Sequence, residues 1–160
     1  MRYFKNGNFY SNPLTKLTLI FTLLFLSAFW ISNLLIYFYK MDLTPQSVVN
    51  YYLGSEENYT LAKTYGGMLE VTHSHLAVMA VVILLLTHLF IFTSFSKKIK
   101  IIIVAIFFSS AFSGEAASWL VRFVHPSFAW LKIFAFILLQ LSMLFVIISL
   151  IKYLLQNNSS

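Results

Sequence analysis

Four long apolar stretches, residues 17–38, 70–95, 101–121 and 128–154, limit what this chain can become. A helix rises about 1.5 Å per residue, so crossing the roughly 30 Å hydrocarbon core takes about 20 residues. Each stretch meets that length. In hydrocarbon every backbone N–H and C=O needs an internal partner, which leaves the helix as the natural solution for an uncharged run. Composition points the same way. The chain is 59% hydrophobic and 10% charged, where a soluble domain carries about 25% charged residues. Too few polar groups remain to cover an aqueous surface. The expected fold is all-α: an integral membrane four-helix bundle, read as one transmembrane domain over residues 1–160. The first run is longer than the 7–15 apolar residues, roughly, of a secretory signal and ends in Tyr37-Phe38-Tyr39-Lys40 rather than at a cleavage site, so it is expected to stay as a helix.

The composition also removes chemistries. With no cysteine there are no disulfides, thiolate metal sites, iron–sulfur clusters or covalent c-type haem. The net charge of +6 does not indicate nucleic acid, because the basic residues are divided among short segments between apolar runs. No nucleophile triad, phosphate loop or paired-carboxylate hydrolase pattern is present, and no internal repeat.

The longest polar connection runs from Lys40 to Glu70. Thr44-Pro45 reads as an N-cap followed by proline at the first helical position, and Gly54 as that helix's end. Ser55-Glu56-Glu57 predicts a second short helix closed by Gly66-Gly67. Tyr51, Tyr52, Tyr59 and Tyr65 suit interfacial helices at headgroup depth. Four spans put Arg2, Lys5, Lys16, Lys97, Lys98, Lys100 and Lys152 on one side, against Lys40, Lys63, Arg122 and Lys132 on the other. The positive-inside rule then predicts both termini in the cytoplasm, with a bacterial inner membrane as the expected location.

Chemistry concentrates in Glu70-Val71-Thr72-His73-Ser74-His75, where the loop becomes the second span. Antiparallel topology brings His125 to the same height, and Glu115 lies about 10 Å deeper than Arg122. Glu70, His73, His75, Glu115, Arg122, His125 and Lys132 can therefore cluster under one rim. Ionisable groups in a membrane are costly and usually line a cavity, a cofactor or a relay. His73, Ala77, Ala80, Leu84 and His88 share a helix face, with His73 and His88 about 60° apart in projection. The alanines leave clearance for a flat macrocycle whose iron an imidazole can bind. Ser110, Gly114 and Ser118 form a small-residue seam on the third span, suited to close helix packing or to a cofactor.

These residues support a ranked set of expectations. The first is a membrane electron-transfer subunit holding haem b through histidines near the outer face, with His73, His75, His88 and His125 as candidate ligands. Three of these are outer, so a second haem at His88 would lack a histidine partner. The alternative is a non-haem copper, zinc or iron site built from His73, His75, His125 and Glu115. On a helix His73 and His75 diverge by about 200°, which weakens that chelate. The third is a non-catalytic subunit or assembly factor of a larger complex. Expected partners are the lipid bilayer, a larger membrane or periplasmic redox protein and a quinone, with Glu115 or a histidine as proton acceptor. Plainer readings stand beside them: interfacial histidines, a packing seam, and Glu115 paired with Arg122 or Lys132.

Overall fold

The computed structural model describes residues 13–156. Helix α1 spans Pro13–Lys40, α2 Pro45–Leu53, α3 Tyr65–Phe90 and α4 Lys97–Phe123; a single 3-10 turn, Pro126–Phe128, leads into α5, Ala129–Gln156. The four long helices are apolar enough to cross a membrane. The chain is an integral, multi-pass, all-α membrane protein, with α2 as a short helix over one end. Arg2 and Lys5, which entered the charge count, and the polar tail 157–160 lie outside the described residues.

The helix starts follow capping chemistry. Thr44 caps α2 by accepting a hydrogen bond from the Ser47 N–H at 3.3 Å, and Pro45 fills the first position, where a missing N–H costs nothing. Thr64 caps α3 through Gly67 N–H at 3.1 Å, and Ser96 caps α4 through Ile99 N–H at 3.4 Å. At the far end of α3 the Lys100 ammonium donates to the Ile91 carbonyl at 2.8 Å, fastening the basic turn.

Two expectations need correction. The second short helix is absent. Ser55 and Thr60 instead exchange backbone hydrogen bonds of 3.0 Å across a tight turn, with Tyr59 at φ 52. Gly54, at φ 83, leads into it, and a Cβ there would fall 2.5 Å from the Thr60 carbonyl oxygen. That geometry admits glycine alone. Gly66 and Gly67 open α3 rather than closing a preceding helix. The second span also starts earlier and ends at Phe90 rather than residue 95, because Thr93 Oγ1 donates to the Phe90 carbonyl at 2.7 Å and draws the chain into a turn.

α5 is the hub. It packs against α1, α2, α3 and α4, and half of its apolar stretch (50%) is buried inside the bundle, against 11% of α1's. Away from the loop, Leu23, Leu26, Ile83, Leu86, Phe90, Phe107, Met143 and Val146 form one apolar core. At the loop end Tyr37, Val48, Tyr52, Val121, Ala129 and Ile133 form a second, so α2 plugs the bundle instead of only resting on the headgroups.

Candidate functional site

Two helices build the centre of the site. On α3, Thr72 and His75 are one turn apart; on α4, Glu115 and Trp119 are one turn apart. Residues three or four apart share a helix face, so the two pairs meet as a ladder. His75 Nδ1 lies 2.8 Å from Glu115 Oε1. Thr72 Oγ1 donates to Glu115 Oε2 at 3.4 Å, and Trp119 Nε1–H donates to Thr72 Oγ1 at 2.9 Å. Each link fixes the next, ending at the imidazole. The carboxylate side chain is 12% exposed and the imidazole 55%. At 1.5 Å per residue, Glu115 lies about 12 Å below the end of α4. A carboxylate only accepts, so His75 Nδ1 carries the hydrogen of this contact, and in the neutral imidazole Nε2 is then the lone-pair acceptor.

α5 brings the counter-charge. Lys132 Nζ donates to the Gly114 carbonyl at 2.9 Å and to Ser118 Oγ at 2.8 Å. Ser118 Oγ donates in turn to the Gly114 carbonyl at 3.1 Å and accepts from Tyr52 O–H at 2.9 Å. α5 packs close beside Gly114, where a Cβ would meet the Ala135 Cβ in ordinary contact at 3.8 Å. Lys132 thus reaches backbone and serine rather than the carboxylate itself, while its charge still acts on Glu115. Tyr52, on α2 outside the spans, is 6% exposed. Burial pushes its phenol up to about 12, against the opposing pull of the Ser118 hydrogen bond.

Of the expected cluster, then, His75, Glu115 and Lys132 come together around α4. Arg122 does not pair with Glu115; its Nε donates to the Lys63 carbonyl at 2.6 Å and ties down the loop. His125 turns back on its own turn, with Nδ1 2.7 Å from Ser127 Oγ and accepting from Ser127 N–H at 3.2 Å. His73, His88, Ala77, Ala80 and Leu84 are all exposed. The alanine-lined face expected to flank a cofactor inside the bundle looks outward, because Met68, Ile83, Leu86, Thr87 and Phe90 are the residues α3 buries. His73, His75, His125 and Glu115 are not gathered into one ligand set: among the described residues, no group of three or more His, Cys, Asp or Glu could hold a metal ion. The helical divergence of His73 from His75 and the capping role of His125 are the physical reasons. Sequence reasoning missed Thr72, Trp119 and Tyr52. Thr72 lay inside the singled-out stretch, whereas Tyr52 looked like one more interfacial tyrosine.

A family model described as a transmembrane helical domain matches residues 42–160. The chain belongs to this family, Aq_1264_TM. The Aq_1264_TM match takes in α2 to α5 and every residue of the polar ladder, while α1 precedes it. No curated protein and no solved structure matches the chain.

Proposed function

We propose that this protein is a membrane subunit that accepts a proton from a lipid-borne quinol at His75, within an electron-transfer complex. The observation that carries this reading is the pair itself: a half-exposed imidazole backed at 2.8 Å by a nearly buried carboxylate, on two helices apolar enough to cross a membrane. Such an imidazole presents Nε2 to a ligand arriving through the bilayer. When Nε2 takes the hydroxyl proton, Glu115 stabilises the imidazolium that forms, and Thr72 and Trp119 hold the carboxylate in place. One electron leaves with that proton to the redox centre of a larger membrane or periplasmic partner, and the half-oxidised quinol then gives up its second proton and electron by the same two routes. Lys132 balances the carboxylate, so the site need not carry net negative charge in lipid.

Trp119 offers a direct readout, since quinones quench indole fluorescence. The purified protein in lipid nanodiscs, titrated with a short-chain quinone, should show saturable quenching. His75→Ala should weaken it about tenfold or more. Linear, unsaturable quenching in the wild type, or saturation unchanged by His75→Ala, overturns the reading.

The outward His73–His88 face favours a second reading. Haem b, or a transition-metal ion, would sit between that face and a partner chain that supplies the remaining ligands. The assembled complex should then show a Soret band with a sharp reduced α-band, or bound metal without one, lost in His88→Ala. A spectrum indifferent to His73 and His88 removes this second reading.

A further inference from the structure

A pocket of about 460 Å³ opens at the loop end of the bundle, apart from the His75–Glu115 site. Its walls include Lys40 at the end of α1, Asp42, Asn50, Tyr51, Leu61 and Lys63. The three charged residues have anchored backbones. Met41 N–H, next to Lys40, donates to the Tyr37 carbonyl at 2.8 Å. Asp42 N–H donates to Ser47 Oγ at 2.8 Å. Lys63 is held on both sides, its N–H donating to the Tyr52 carbonyl at 3.0 Å and its carbonyl accepting from Arg122. Its ammonium stands 4.3 Å over the Tyr51 ring. Among the described residues, none of the three charges is in an ion pair.

We propose that this pocket binds the headgroup of an aminophospholipid, its phosphodiester on Lys40 and Lys63 and its ammonium on Asp42. Charge complementarity selects the class. Two cations and one carboxylate around a polar hollow match a group bearing an anion and a primary ammonium together. A bare anion would leave Asp42 opposed, and a quaternary ammonium has no N–H to donate. Position selects the membrane over a soluble source. Lys40 ends a spanning helix; Ile36, one turn deeper and about 40° from Lys40 in projection, is 53% exposed, and Leu43, between the lining residues Asp42 and Thr44, is 41% exposed. They offer acyl chains an apolar path to the hollow. The proposal is independent of the quinol reading.

The test uses the full chain, delipidated in detergent, with its thermal midpoint followed as lipid is added. Phosphatidylethanolamine should half-saturate the shift at about one-tenth of the concentration that phosphatidylcholine needs. Asp42→Asn should bring the two within about twofold, and Lys40→Gln with Lys63→Gln should weaken both about tenfold. Lys40→Gln alone, at an exposed helix end, gives a smaller loss of the same sign and stands in if the double variant does not fold. The proposal fails if the wild type does not distinguish ethanolamine from choline, if Asp42→Asn keeps the preference, or if the lysine variants bind as the wild type does. Phosphatidylglycerol binding as tightly as phosphatidylethanolamine removes the ammonium contact. Soluble glycerophosphoethanolamine binding as tightly as the lipid removes the membrane source.

Discussion

His75 and His88 lie on the same helix, and the bundle treats them differently. His75 faces α4 and meets a carboxylate at 2.8 Å. His88 faces outward, edge-on to Phe92 at 5.4 Å, and lines a largely apolar cleft of about 280 Å³ with Leu19 and Thr18 of α1 and Leu150 of α5. Thirteen residues separate them, a difference of about 140° in helical projection. The comparison teaches that residue type nominates a site, while helical register and the neighbouring helix decide whether it is built. The loop-end half is knit by charge and hydroxyls across α2, α3, α4 and α5; the other half packs mainly through an apolar core, with Lys100 fastening its turn.

The sharpest way to break that contrast is to remove the cation that holds the loop end. Lys132→Met keeps most of the buried stem but deletes the donor to Gly114 and Ser118, and leaves Glu115 without its balancing charge. Removing one member of a buried charged set should cost about 3 kcal/mol or more. Unfolding in a detergent titration measures it. Adding Glu115→Gln should recover part of the loss, because the two charges depend on one another. Strict additivity of the two costs would show that Lys132 serves only the backbone.

A smaller effect, of about 1–3 kcal/mol, is expected from Gly54→Ala. The methyl would strike the Thr60 carbonyl at a φ that L-residues avoid. Because α2 plugs the bundle, hydrogen exchange should rise first in α2 and near Tyr52, with the His88 end unchanged. Uniform loosening of both ends would mean that they are not separable. Ser118→Ala should cost about 1–2 kcal/mol, since Tyr52 and Lys132 each lose a buried partner. Tyr52 itself gives the loop end an alkaline limit. Its folded value of about 12 lies above the ordinary 10. Its stabilising share is therefore complete below pH 10 and is lost as pH rises through 12. Tyr52→Phe should flatten that slope, and an unchanged slope would remove Tyr52 as its source.

The spans were legible because length and apolarity are properties of the chain itself. Their ends were less so: Thr15 and Lys16 continue α1 because interfacial polar residues are as compatible with a helix as lipid-facing ones. That His75 and Glu115 lie in one neighbourhood was legible from topology and depth; that they pair was not, since the sequence matches Glu115 with Arg122 or Lys132. The orientation of the His73–His88 face was not, because a helix that is apolar all round carries no signal separating its lipid side from its bundle side. Ser118 was visible as part of a packing seam, and it packs as expected (5% exposed) while also joining Lys132 to Tyr52. That second role depends on how a loop folds back over the bundle, which no local pattern encodes.

The smallest effect is reserved for the other histidine. His88→Ala removes an outward ring with no carboxylate behind it, and it deletes contact with Phe92 and one wall of an open cleft. Surface-type substitutions away from buried networks usually stay within about 0.5 kcal/mol, and that is the change expected for the isolated chain in detergent. His75→Ala must cost more, because it strands a buried carboxylate that loses its closest partner. The ordering can be read from the two variants in one unfolding series. If His88→Ala matched or exceeded His75→Ala, the apolar half would have to depend on its imidazole as the polar half depends on its own. The built site would then be the one at the cleft between α1, α3 and α5.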